Sequence, residues 1–254
     1  QAAGRPAAVG AMPAGRPAAV GAMPAAASTP NADELVERYL SARGGREKIL
    51  AVRSARVTGT LVLGRFGSAP MTLEWRRPDH VRLSFTAQGL EGVQAFDGTT
   101  AWTLLPFHGQ TEPEAQPAEA LQRFRDLADF DGPLVDYAAK GYRVELVGRT
   151  SFQGSPAFEL ALVRPGAGKR SLFLDAETYL MIGERGVSTE SGAEQAYETT
   201  ISDYKSFGGL LFACSKERRT IGAEGASGPG QVTTFEKVEL DVDISDARFA
   251  MPRT

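Results

Sequence analysis

The sequence predicts a mainly β protein of the α+β class, in which a wide antiparallel sheet is curled into an open half-barrel and helices cover its concave apolar face. Three observations support this prediction. Apolar and polar residues alternate with a period of two through most of the chain after residue 53, which is the pattern of strands that bury one face. Short turns separate these alternating segments. Helical periodicity occurs only near the start and in the middle of the chain.

Length and composition are those of an ordinary soluble globular protein. The chain has 254 residues, of which 42% are hydrophobic and 23% charged, so it can bury a sizeable core. Its net charge of −3 does not favour binding to nucleic acid or to an anionic membrane surface. No run approaches the roughly 20 apolar residues that a membrane-spanning helix needs. We expect a monomer.

The first 30 residues are expected to form a flexible tether ahead of a single domain at 31–254. Residues 4–13 recur unchanged at 15–24, a period of 11 that is too short for a solenoid unit. Their prolines and glycines break any helix. A segment rich in Ala, Pro and Gly is also typical of mature exported proteins, which predicts export and removal of a signal peptide.

The domain is predicted to begin with two helices. Asn31 followed by Glu34 makes a capping-box pattern, and Gly44-Gly45 ends the helix that it starts. The apolar residues of this helix share one face. They are Leu35, Val36, Tyr39 and Leu40. A shorter helix is predicted at 46–52.

Strand periodicity begins at residue 54 and continues to residue 105. Three segments alternate apolar with polar side chains. Their apolar members include Val57, Leu61, Met71, Leu73, Trp75, Val81, Leu83 and Phe85. Asp97-Gly98 predicts a two-residue hairpin turn between strands at 93–96 and 101–105.

The strand pattern breaks between residues 107 and 142. Residues 112–117 are polar and contain proline, which predicts a loop. Residues 118–128 predict a helix, and another short helix is predicted at 134–139. The apolar face of the first is formed by Leu121, Phe124, Leu127 and Ala128. A helix between two sets of strands is well placed to cover a concave sheet.

Strand periodicity then resumes up to residue 242. The predicted strands lie at 142–146, 158–162, 170–175, 179–187, 194–205, 210–220 and 231–242. About eleven or twelve strands result, and a flat sheet of that width would curl. Two outcomes are open, a barrel closed on itself or a half-barrel whose concave face is covered by the helices.

No catalytic or metal-binding motif is visible. The two histidines, His80 and His108, have no metal-ligand spacing and are expected to be exposed turn residues. No nucleophile elbow occurs. The glycine-rich stretch 165–170 joins two predicted strands, so it is interpreted as a hairpin loop and not as a phosphate loop. We therefore expect a protein that is not an enzyme, with no catalytic residue, metal or cofactor.

Two further groups of reactive side chains are interpreted as structural. Asp129, Asp131 and Asp136 lie at spacings that can bind Ca²⁺, but they miss the twelve-residue loop pattern. Helix capping and turn formation account for them better. The one cysteine, Cys214, lies in an apolar strand-like stretch and is expected to be a small buried hydrophobe.

A series of motifs in fixed order resembles one protein family. The motifs are Trp75-Arg76-Arg77-Pro78-Asp79, Phe96-Asp97-Gly98 with Trp102, Pro106-Phe107, Asp129-Phe130-Asp131-Gly132-Pro133, Tyr204-Lys205 before Gly208-Gly209, and Phe249-Ala250-Met251-Pro252. They resemble the periplasmic outer-membrane lipoprotein-sorting carriers, the LolA-like proteins and their LolB-like relatives. The resemblance covers about residues 32–252.

The resemblance implies an open half-barrel with helices as a lid over an apolar cavity. It implies a periplasmic protein that carries acyl chains of lipoproteins or other lipids. An inner-membrane ABC release complex and an outer-membrane acceptor would be its partners. It also implies that Arg77, in the Arg-Pro motif, latches the lid by bonding to backbone carbonyls. The same fold class includes periplasmic regulators, so a regulator or scaffold that binds a protein partner stays open as the alternative.

The alternating faces supply candidate residues for lining a lipid cavity. They are Leu61, Leu73, Trp75, Leu83, Phe85, Trp102, Leu104, Phe158, Leu160 and Leu162 from the strands, with Leu121 and Phe124 from the lid helix. The alternative for each of them is that it simply packs in the core.

Overall fold

A computed structural model describes residues 30–62, 67–165, 168–188, 194–222 and 225–252, without the side chains of 225–229. The predicted tether, up to residue 29, lies outside the described residues. Three α-helices lie at Ala32–Ala42 (α1), Arg46–Ala51 (α2) and Leu121–Ala128 (α3). None of the described helices is long and apolar enough to cross a membrane.

Thirteen strands are found in the described residues. They are β1 Ser54–Val62, β2 Ser68–Arg76, β3 His80–Ala87, β4 Leu90–Asp97, β5 Ala101–Leu104, β6 Glu114–Ala115, β7 Arg143–Phe152, β8 Ser155–Arg164, β9 Gly168–Asp175, β10 Met181–Ser188, β11 Gln195–Phe207, β12 Leu210–Gly222 and β13 Gly225–Leu240.

These strands form one antiparallel sheet whose order is β6-β5-β4-β3-β2-β1-β13-β12-β11-β10-β9-β8-β7. The first long strand therefore pairs with the last, with Val57 opposite Val238, and this pairing joins the two halves of the chain. Within the described residues β6 and β7 are the two edges and do not pair. Of the two outcomes left open by the sequence, the open sheet is the one observed.

The segment at 116–142, here called the crossing segment, connects the two edges of the sheet. It begins after β6 at one edge and ends before β7 at the other. Its helix α3 contacts β3 and β4. Phe124 and Leu134 of this segment are fully buried in the main core. The predicted helix over the concave face is therefore confirmed, since α3 packs in the same core as the inward face of the sheet.

The start of α1 follows the predicted capping box. The backbone N–H of Glu34 donates to Asn31 Oδ1 at 2.9 Å, and the N–H of Asn31 donates to Glu34 Oε2 at 3.0 Å. The four predicted apolar residues of the helix are all buried. They pack in the main core together with the inward face of the sheet.

Three local predictions are wrong. Residues 134–139 form turns and not a helix, and Leu134 and Val135 within them are buried. The turn is not the two residues Asp97-Gly98, because β4 extends to Asp97 and β5 begins at Ala101; Asp97 Oδ1 accepts from the N–H groups of Thr99 and Thr100 within this turn. His80 is not an exposed turn residue, since it packs edge-on against Phe249 with 5.2 Å between ring centroids.

Candidate functional site

A cavity of about 430 Å³ lies between the inward face of the sheet and the crossing segment. Strands from both halves of the chain contribute to its wall. The apolar lining is formed by Leu61, Met71, Leu73, Trp75, Leu83, Leu127, Phe130, Met181, Ile201, Phe212 and Phe235. Its size falls within the range of about 300–1,000 Å³ that is usual for small-molecule sites.

Four of the residues proposed from the sequence line this cavity. They are Leu61, Leu73, Trp75 and Leu83. The alternation of β1, β2 and β3 places them on one face, and Leu73 lies directly opposite Leu83 in the register. Most of the cavity residues that were not predicted lie on β10 to β13. These strands show the same alternation, but the sequence does not show which of their two faces points inward.

Six of the proposed residues are packed into the main core and do not line the cavity. They are Phe85, Leu121, Phe124, Phe158, Leu160 and Leu162. Other side chains of the core fill this part of the concavity. Phe85, for example, contacts the ring of Phe107 with 5.4 Å between centroids. For these residues the alternative interpretation, a core position, describes their placement.

Trp102 and Leu104 lie on the opposite face of the sheet, which corrects their proposed position in the cavity. Trp102 pairs with Ala95, and Ala95 pairs with Arg82. These residues share the outer face, where Trp102 and Leu104 belong to a separate apolar cluster. The indole N–H of Trp102 donates to the carbonyl of Phe249 at 2.9 Å, so the C-terminal segment covers this cluster.

Arg77 joins the end of β2 to both helical parts of the molecule. Its Nε donates to the carbonyl of Val52 at 2.6 Å, and its Nη2 donates to that of Ile49 at 3.1 Å. Both terminal nitrogens also bond to the carboxylate of Asp131 at 2.9 and 2.5 Å. This ion pair raises the pKa of the Arg77 guanidinium. Arg77 thus contacts backbone carbonyls next to α2 and a carboxylate of the crossing segment.

The neighbouring aspartates are likewise paired with cations. Asp129 bonds to Lys140 at 2.6 Å, and Asp136 pairs with Arg46. Burial raises the pKa of Asp129, and the hydrogen bond from Lys140 opposes this rise. The three carboxylates proposed as capping and turn residues therefore hold the crossing segment through ion pairs, a role that the sequence does not show.

The crossing segment is also fixed to β2 by Trp75. The indole N–H of Trp75 donates to the carbonyl of Leu127 at 2.8 Å. Its ring meets Phe130 edge-on with 5.6 Å between centroids. Trp75 consequently lines the cavity and anchors the segment that covers it.

The part of the cavity wall that includes β10 and β12 carries charged side chains. Glu184 on β10 accepts from Tyr197 at 2.5 Å and from Arg170 at 3.4 Å. Lys216 on β12 and Arg43 after α1 also line the cavity. Cys214, two residues before Lys216, is buried as predicted, and burial raises the pKa of its thiol.

No protein family description and no curated protein matches this sequence. Solved structures do match, each over most of both chains. A LolA superfamily protein from Nitrosomonas europaea has a TM-score of 0.57 at 12% identity, covering 87% of this chain and 98% of its own. A putative outer membrane lipoprotein-sorting protein domain from Vibrio parahaemolyticus has a TM-score of 0.52 at 13% identity, covering 84% and 97%.

A DUF1329 family protein from Desulfovibrio piger has a TM-score of 0.58 at 12% identity and covers 87% of this chain and 98% of its own. Identities this low show a shared fold and leave function to be argued from the site. The fold expected from the order of the sequence motifs is confirmed.

Proposed function

We propose that this chain, which has the fold of the LolA superfamily, is a non-enzymatic periplasmic carrier that binds acyl chains of lipoproteins or other lipids. The observation that carries the proposal is the apolar cavity under a crossing segment held by Arg77. Its apolar wall extends across strands from both halves of the chain, which suits a long hydrocarbon chain better than a compact polar substrate.

The energetics of burial favour such a ligand. Burial of each methylene group contributes roughly 0.8 kcal/mol, so one sixteen-carbon chain contributes on the order of 12 kcal/mol before ordering costs. A cavity of about 430 Å³ suits one chain. A lipid with two or three chains requires the crossing segment to move outward.

Arg77 is proposed as the latch that controls this movement. Its bonds to the carbonyls of Ile49 and Val52 and to Asp131 connect the crossing segment to the rim of the sheet. Breaking the ion pair with Asp131 removes one of the bonds that hold that segment and unfolds no strand. The carrier is proposed to receive its cargo from an inner-membrane ABC release complex and to deliver it to an outer-membrane acceptor.

Mass spectrometry of lipids extracted from the purified protein tests the proposal. The expected result is a stoichiometric acylated lipid, or binding of an added acylated lipoprotein peptide. A chain that co-purifies with no lipid and binds no acylated peptide, while remaining folded, would contradict the carrier function.

A regulator or scaffold that binds a protein partner is the second candidate, and the edge strand β7 favours it. Within the described residues β7 has a strand neighbour on one side only, and Val147 on it is 54% exposed. An unpaired edge can accept a strand from another chain. A pull-down that recovers a protein partner from protein free of lipid would favour this candidate.

A further inference from the structure

Lys216 places a positive charge on the inward face of the sheet. It lies in the register between Ile201 of β11 and Thr233 of β13. Both of these neighbours line the cavity, as Lys216 does itself. Its ammonium group is 5.9 Å from the centroid of the Phe235 ring.

Among the described residues Lys216 has no ion pair and no hydrogen bond. The carboxylates that line the cavity are all engaged with other groups. The pairs are Glu184 with Arg170, Asp126 with Arg164, Asp129 with Lys140 and Asp131 with Arg77. Lys216 therefore reaches solvent in the cavity without a fixed partner.

The other two cations that line the cavity are used differently, and Arg170 pairs with Glu184. Arg43 donates to the carbonyl of Asp131 at 2.7 Å and to the Tyr39 hydroxyl at 3.4 Å. Its guanidinium thus holds the crossing segment, which leaves Lys216 as the cation available to a ligand.

The surroundings of Lys216 disfavour its charged form. Desolvation by the protein around it lowers the pKa of its ammonium, Arg43 lowers the pKa further, and Glu184 opposes both. Its side chain is nevertheless exposed to the solvent of the cavity, so an anion can reach it there. An anion bound beside Lys216 would raise the pKa again.

We propose that the cavity binds a long-chain fatty acid, with its carboxylate paired to Lys216 and its hydrocarbon chain along Leu61, Leu73 and Leu83. This proposal rests on the proposed function, since it names the class of lipid that the same cavity takes. From β12 the path crosses β13, β1 and β2 to reach β3. Neighbouring strands lie about 4.8 Å apart, so this path is roughly 19 Å long, which a long acyl chain can span.

Binding of palmitic acid and of its methyl ester to the full chain tests this inference. The two ligands share a chain and differ in the charge at its end. Fluorescence of Trp75, which lines the cavity, reports binding, whereas Trp102 lies buried on the other face. Wild type is expected to bind the acid about tenfold or more tightly than the ester, because a charge-assisted hydrogen bond is worth at least about 1.4 kcal/mol.

Three variants test whether Lys216 causes the preference for the acid over the ester. Lys216→Met is expected to bind both ligands with the affinity that wild type has for the ester, and Lys216→Arg to retain the preference for the acid. Lys237→Met is the matched control, because Lys237 is 64% exposed, outside the cavity, and paired with Glu239. It is expected to bind as wild type does.

The outcomes separate this inference from the proposed function. Equal binding of acid and ester by wild type would overturn the fatty-acid assignment and leave lipid binding standing. A preference for the acid that survives in Lys216→Met would overturn the role of Lys216. Binding of neither ligand would contradict both the fatty-acid assignment and the acyl-chain function on which it rests.

Discussion

At the scale of single residues, Arg77 and Arg76 show how neighbouring side chains of one strand end acquire different roles. Arg77 reaches the carbonyls next to α2 and the carboxylate of Asp131. Arg76 points to the other side and pairs with Asp246 in the C-terminal segment. Both are arginines at adjacent positions, so they offer a matched pair for testing the latch.

Arg77→Leu is expected to release bound lipid several-fold faster than wild type. The change removes two bonds to backbone carbonyls and leaves the mostly buried Asp131 without its cation, a loss of about 2–3 kcal/mol. The amide hydrogens of 128–137 should exchange faster as well. Lipid transfer to vesicles and hydrogen exchange measure the two effects.

Arg76→Leu is the control for this prediction. Its partner Asp246 is 71% exposed, and exposed ion pairs contribute about 1 kcal/mol or less. Release of lipid should therefore stay at the wild-type rate. If Arg77→Leu also releases lipid at that rate, Arg77 is not the latch.

Trp102→Phe is expected to lower stability and leave lipid binding unchanged. The indole N–H donates to the carbonyl of Phe249, and its loss leaves a buried acceptor unpaired at a cost of about 1–3 kcal/mol. Thermal unfolding and palmitate binding measure the two quantities. Weaker palmitate binding at unchanged stability would mean that Trp102 lines the cavity, as the sequence predicted.

At the scale of secondary-structure elements, the crossing segment has its position dictated by the sheet. It must travel from the edge strand β6 to the edge strand β7. Its helix α3 is only eight residues long, and the turns that follow are held by ion pairs such as Asp129 with Lys140. Turn hydrogen bonds and side-chain contacts hold the part of this segment after α3, which suits the outward movement that the proposed carrier function requires.

The helix α1 provides a test of stability at this scale. Asn31→Ala removes the capping bond that the N–H of Glu34 donates to the Asn31 side chain at the N-terminus of α1, and loss of an N-cap costs about 0.5–2 kcal/mol. Denaturant unfolding should show this loss, with lipid binding retained. Unchanged unfolding would mean that the cap adds nothing to the packing of α1. Asn31→Ser, which keeps an N-cap oxygen, should lose less stability.

At the scale of the whole molecule, the pairing of β1 with β13 joins the two halves into one sheet. Gly59 lies at a bulge in this pairing, opposite Phe235. A Cβ atom on Gly59 would come within 1.9 Å of the carbonyl oxygen of Thr234. The close approach of the two backbones explains why glycine occupies this position.

Gly59→Val is expected to destabilise the whole domain by about 1–3 kcal/mol or more, because the β13 backbone has to shift. Thr58→Val, one position earlier in the same strand, is the matched control and should change stability by less than about 1 kcal/mol. Thermal unfolding compares them. Loss of one half of the sheet before the other would show that the two halves are not one cooperative unit.

The sequence by itself determined most of the secondary structure and the order of the motifs. Period-two alternation identifies strands wherever a sheet buries one face, and the contacts of α1 depend on residues three and four apart. Asn31 with Glu34 is a local signal of this kind, and it forms as predicted. Arg77 was found through the motif order, and it bonds to the carbonyls of Val52 and Ile49, while its role as a latch stays a prediction.

Only the tertiary structure decided which alternating face lies inward and what covers it. Alternation has the same period on both faces, so Trp102 and Leu83 look equivalent in the sequence but lie on opposite sides of the sheet. The charged residues of the cavity wall could not be predicted from the sequence for a related reason. Glu184 and Lys216 are distant in the chain and come together through strand pairing across β10, β11 and β12. Long-range pairing and the curl of the sheet set these positions, and no local pattern encodes them.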